Sequence, residues 1–229
     1  MNEQTTSPAS EAILDQFEIR VLAVLAEKEA LTPDNYPLSV NALTNGCNQL
    51  SSRDPVMAVS EDTVQEVLQR LLQKKFVTGV TQAGARVVKY EHRLRIKWSL
   101  EQDKLVILTL LMLRGPQTAG EIRTRAGRMA EFASVAEVES GLQFLIDKYP
   151  PLVARLPRAP GTKEARYAQL LAGEEFLEQL SAAAAFGGAA VVDGSRKDRV
   201  AALEEEVLQL REQVEGLAQQ FEAFKKQFE

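Results

Sequence analysis

One cysteine and one histidine are all that the 229 residues hold of the side chains most used for metal binding and nucleophilic attack. A single cysteine excludes an intramolecular disulfide and fits a reducing compartment, so the cytoplasm is the expected setting. Cys47 and His92 together offer two ligands, short of a closed zinc site. The phosphate-cradling GxxxxGK[ST] loop and the dinucleotide fingerprint are lacking, and Gly187–Gly188 does not lie between a strand and a helix. No apolar run approaches the length of a membrane span, so no membrane partner is expected. Residues 1–10 lack positive charge and an apolar stretch, and are expected to be a disordered polar tail rather than a signal. These absences leave no case for catalysis, and neither a catalytic residue, a metal nor a cofactor is expected.

What is present is an ordinary folded-protein composition, 45% hydrophobic, with an uneven charge. Residues 1–100 carry 11 Lys/Arg against 12 Asp/Glu, and residues 101–170 carry 10 against 8. Residues 171–229 carry 6 against 12, so the net charge of −5 belongs to the tail. The near-neutral remainder neither favours nor excludes an electrostatic partner.

The chain reads as two copies of one unit. In the first, an apolar helix over residues 13–31 (with Ile19, Val21, Leu22, Val24 and Leu25) covers more than one face, suggesting burial on several sides. Ser39 caps a second helix whose inner face is Val40, Leu43, Cys47 and Leu50. Ser60 opens a third with the stripe Val64, Val67, Leu68, Leu71 and Leu72. FVTGVTQ and RVVKYEHRL then flank Ala83–Gly84 as a hairpin. The second copy runs from Ser99, with Gln102 placed for a capping box, to a stop at Gly115–Pro116. Thr118 with Glu121 and Ser134 with Glu137 open its next two helices, and PLVARLPR and EARYAQLL flank a hairpin tip APGTK. Ser60, Val64, Leu68, Leu71, Leu72 and Lys74 recur as Ser134, Val138, Leu142, Leu145, Ile146 and Lys148 at one offset of 74. The expected fold is α+β, mostly helical: two tandem winged helix-turn-helix domains, 11–97 and 98–171, and a C-terminal coiled-coil helix.

Residues 172–198 become an Ala/Gly-rich linker, and 199–229 a zipper. Val200, Leu203, Val207, Leu210, Val214, Leu217, Phe221, Phe224 and Phe228 alternate steps of three and four without a slip. β-Branched residues at a and leucine at d favour a parallel two-stranded coil, hence a homodimer. The g-to-e pairs Arg199–Glu204 and Glu206–Arg211 are opposite in sign and help select register.

In such domains the third helix usually enters the major groove. Here its exposed face is acidic in both copies: Glu61, Asp62, Gln65 and Glu66, then Ala136, Glu137, Glu139 and Gln143. Positive charge lies instead on the wings and on the second copy's second helix. Arg86, Lys89 and Arg93 belong to the first wing, and Arg155, Arg158, Lys163 and Arg166 to the second. Arg123, Arg125 and Arg128 complete the candidate phosphate contacts. His92 sits among the first-wing cations, and Cys47 on an apolar stripe is expected to be a core thiol. Asn45, Gly46 and Asn48 are poor helix-interior residues that packing does not explain. Asn45, Asn48, Gln49, Arg53 and Asp54 therefore form a candidate recognition surface, or else a loop held by local hydrogen bonds.

The segments YPLSVNALTNGCNQLSSRDPVM, SEDTVQEVLQRL and LRGPQTAGEIRTRAGRM resemble the YceH-like proteins, a bacterial family of uncharacterised function. The resemblance covers residues 14–171 and implies tandem winged helices and a cytoplasmic setting, with no catalytic residue, cofactor or ligand. Gly46 stands where that family commonly has Ala, and Leu50–Ser51 where it has Lys–Ser.

Two functions compete: a dimeric DNA-binding regulator contacting double-stranded DNA through its basic wings, and a scaffold docking other proteins on its winged-helix surfaces. A ligand pocket between the units is not called for, because packing between units accounts for the all-round apolar first helices.

Overall fold

The computed structural model describes residues 13–81, 87–158 and 164–173, with positions 176 and 178. The expected coiled-coil seam, the rest of the expected linker, Arg86 and Lys163 lie outside the described residues. The described chain is α+β, with seven α-helices and two small antiparallel sheets.

Helix α1 (Gln16–Leu31) starts at Asp15, whose carboxylate accepts from Phe17 and Glu18 N–H while Glu18 reaches back to Asp15 N–H. This reciprocal cap satisfies donors that the first turn leaves free. From Glu18 to Glu27 every residue is buried, as its all-round apolar pattern anticipates. Helix α2 (Val40–Cys47) is capped by Ser39 and α3 (Glu61–Gln73) by Ser60, each hydroxyl accepting an N–H three residues on. On α3 the buried stripe is Val64, Val67, Leu68 and Leu71, with Leu72 at its half-buried edge. Strands β1 (Val77–Val80) and β2 (Lys89–His92) pair antiparallel, Val77 opposite His92 and Val80 opposite Lys89. A short helix α4 (Leu94–Trp98) leads out of this sheet.

The element order then repeats. Helices α5 (Gln102–Arg114), α6 (Ala119–Ala126) and α7 (Val135–Asp147) are followed by strands β3 (Val153–Arg155) and β4 (Tyr167–Gln169). Gly115, at φ +68°, ends α5 in a region where a side chain would be strained. One detail is shared by both copies. Leu38, just before α2, bridges to Tyr90 on β2, and Gln117, just before α6, bridges to Tyr167 on β4.

Helices α1 and α5 pack against each other, so one core runs through both copies. Glycine sets two close helix approaches. A Cβ at Gly46 on α2 would lie 2.5 Å from Val24 on α1, and one at Gly141 on α7 would lie 2.5 Å from Ile107 on α5. Packing therefore does explain Gly46. The two ends of this body also meet: Leu14 N–H donates to the Leu171 carbonyl at 2.8 Å.

Two local expectations fail. Ser99 caps nothing; it takes a left-handed conformation at φ 49°, and α5 begins three residues later behind Glu101 without a side-chain cap. Gln102 instead donates to the Met129 carbonyl and accepts from Arg95. Leu50 is not on an inner face, because α2 stops at Cys47 and Leu50 is 83% exposed. No helix among the described residues is long and apolar enough to cross a membrane.

Candidate nucleic-acid interface

The second copy brings several predicted cations together at the junction of α6 and β4. Glu121, in the first turn of α6, takes the Arg166 guanidinium at 3.1 Å and lies 3.9 Å from Arg125, one helical turn on. Arg166 also donates to the Pro116 carbonyl, and Arg125 to the Gln117 side chain. Arg114, in the last turn of α5, joins this group. Burial first, and then the charge of Arg125, make its cation harder to keep. Two guanidiniums, Arg125 and Arg166, thus share Glu121 as their one ion-paired carboxylate among the described residues, while Arg114 donates to Ser52 and adds a third positive charge that Arg125 feels. Arg114, a single Arg at a helix end, carries no distinguishing sequence signal.

The remaining cations divide by what holds them. Arg123 donates to the carbonyls of Phe132 and Ala133 and so ties α6 to the start of α7. Arg128, Arg155 and Arg158 are exposed and make no hydrogen bond or ion pair among the described residues. Arg155 lies opposite Tyr167, and Leu156 N–H donates to the Arg166 carbonyl. Alternation along a strand then sends Arg155 and Arg166 to opposite faces of the hairpin. In the first copy Arg93 is exposed at the start of α4. Lys89 lines a shallow groove of about 450 Å³ with Lys28, Asn45 and Gln49.

The segment 45–54 is mostly held internally. Arg53, expected on the surface, is 6% exposed. Its guanidinium grips both Glu27 oxygens at 3.0 and 2.6 Å and donates to the Gly46 and Ser52 carbonyls and to Gln49. Asn48 is likewise engaged, its amide bonding both the N–H and the carbonyl of Val59 at 2.8 Å. Asn45, Gln49 and Asp54 remain exposed. These polar residues of helix α2 and its loop mainly staple that loop to α1 and to the stretch before α3.

His92 is buried, its ring within 3.2 Å of Glu29, and Cys47 is fully buried with its thiol pushed up to about 11 by burial. Such a thiol stays protonated and unreactive near neutrality. On α3, Glu61, Asp62, Gln65 and Glu66 are exposed, as are Ala136, Glu137, Glu139 and Gln143 on α7.

Residues 14–162 match the family described as Protein of unknown function, DUF480. A UPF0502 protein of Herminiimonas arsenicoxydans is 67% identical over 205 residues, covering 90% of this chain and 86% of that protein. A UPF0502 protein of Azoarcus sp. (strain BH72) is 53% identical over 207 residues, covering 90% of each. One from Geobacter metallireducens is 49% identical over 197 residues, covering 86% of this chain and 90% of that protein. The chain therefore belongs to the DUF480, or UPF0502, family of uncharacterised bacterial proteins, the YceH-like family that its 36–57 motif resembles.

Proposed function

We propose that this chain is a non-enzymatic, cytoplasmic DNA-binding protein, built from two tandem winged helix-turn-helix domains and dimerised by its C-terminal coil. The winged-helix reading is supported by the repeated order of three helices and a hairpin, and by the matching bridges Leu38–Tyr90 and Gln117–Tyr167. The observation that carries DNA contact is the second copy's set of uncommitted arginines. Arg128, Arg155 and Arg158 are exposed without an internal partner among the described residues, and Arg125 and Arg166 add positive charge to the same copy. Exposed guanidiniums suit phosphate, whereas the acidic faces of α3 and α7 would be repelled by it.

Binding to duplex DNA is then expected to weaken with salt. Replacing Arg128, Arg155 and Arg158 by Ala should reduce the slope of log K against log salt by about 3, near one unit per phosphate contact. No binding to generic or genomic duplexes at low salt would sink the proposal.

A second reading, protein docking, draws on α7. Val135 and Phe144 are 39% and 43% exposed on this helix and Tyr149 is 97% exposed just beyond it. Exposed apolar side chains beside acidic ones suit a protein better than a phosphate backbone. Phe144→Asp with Tyr149→Ser should then abolish co-purification of specific partners, and undiminished recovery would reject it.

A further inference from the structure

A cavity of about 780 Å³ opens where α1, α5, β4 and the loop after Arg53 meet, between the two copies. Its volume falls in the range of small-molecule sites, roughly 300–1,000 Å³. The wall is largely apolar, with Ile19, Met57, Leu111, Met112, Ala168 and Phe176 among its residues.

The wall holds three carboxylates, Asp15, Glu18 and Asp54, and three cations, Arg20, Arg70 and Lys74, but they pair unevenly. Arg70 pairs with Asp15 at 2.8 Å and approaches Glu18 at 3.5 Å, and Lys74 pairs with Glu18 at 2.8 Å. Arg20 is different. It is 2% exposed, donates to the carbonyls of Cys47 and Pro55, and leaves its buried Nε without an acceptor. No carboxylate lies within ion-pair distance of it among the described residues; Asp54 favours its charge only from farther off. Burial, and then the neighbouring Arg53, weigh against its cation, and Arg53 already holds Glu27 for itself. A buried charge without a counter-ion is costly, and an anion entering the cavity would relieve that cost.

We propose that this cavity binds a small amphipathic monocarboxylate, its acid group drawn to Arg20 and its apolar body seated against Ile19, Leu111 and Met112. A single negative charge fits better than a phosphate dianion, because Asp15, Glu18 and Asp54 share the same wall. The site requires no nucleic acid, so its test stands apart from that of the DNA proposal.

Calorimetric titration of the full chain, without DNA, uses octanoate as the probe and octan-1-ol as its neutral counterpart. Saturable one-to-one binding of octanoate is expected, about tenfold or more tighter than octan-1-ol, the discrimination a charge-assisted hydrogen bond supplies. Arg20→Met should bring octanoate down to the level of octan-1-ol. Met57→Trp, at a half-buried position in the wall, should weaken both probes and serves if the Arg20 variant does not fold. Absent octanoate binding, equal affinity for the two probes, or full affinity in either folded variant would overturn the proposal.

Discussion

Burying a charge is tolerable when its partner goes with it, and Arg53 shows how far this protein relies on that rule. Its side chain is fully enclosed and Glu27 is 8% exposed, with two hydrogen bonds between them. Removing one member strands the other, so Arg53→Ala should cost about 3–5 kcal/mol in urea denaturation. Arg53→Met combined with Glu27→Leu should cost less than Arg53→Ala, and an equal or larger loss would show that the pair does more than neutralise itself. A second residue-scale prediction concerns acid. His92 Nε2 hydrogen-bonds the Glu29 carboxylate at 3.2 Å. That hydrogen bond lowers the Glu29 carboxyl most, burial opposes it, and Arg95 adds to the lowering, leaving it at about 2 instead of 4.5. Because the folded value lies below the unfolded one, the stabilisation is complete above about pH 4.5 and is lost as pH falls through about 2. Glu29→Gln should flatten the fall of the urea midpoint across that window; identical slopes would reject the assignment. Sequence alone places Arg53 on the surface because its partner lies 26 residues away. Local periodicity cannot reveal such a pairing.

At the scale of elements, the sequence is most informative where the deciding interaction spans three or four residues. Ser39, Ser60, Thr118 and Ser134 cap as their positions imply, and the α3 stripe is buried. Ser99 misleads for a nearby reason. α4 precedes it and forces a left-handed turn there, delaying α5. Gly46 is a tertiary matter: nothing in its own helix announces that Val24 crowds it. Val24 is β-branched and has little rotamer freedom in a helix, so it gives way poorly. Gly46→Ala should therefore destabilise by about 1–3 kcal/mol. In the Val24→Ala background the same change should cost less, and strict additivity in the double-mutant cycle would disprove the clash.

Across the whole molecule, the α+β class and the repeated element order could be read from the sequence, while the cavity between the copies could not. Apolar first helices announce burial, but not how completely two of them fill the space between their units. Arg20, a lone cation in the apolar run of α1, was the sign available there. The proposed zipper, residues 200–228, lies outside the described residues and is to be tested in solution. Val207→Asp with Leu210→Asp should yield monomers in sedimentation equilibrium, since charges in an a/d seam abolish its packing. An unchanged mass would dismiss the coil as the dimer contact.

The hydrogen bond from Leu14 to Leu171 makes the body a loop closed upon itself. A body with two such touching ends has no privileged starting point. Linking position 13 to position 173 by a few glycines, and opening the backbone within 82–86, should yield a circular permutant with the same cap at Asp15 and the same core.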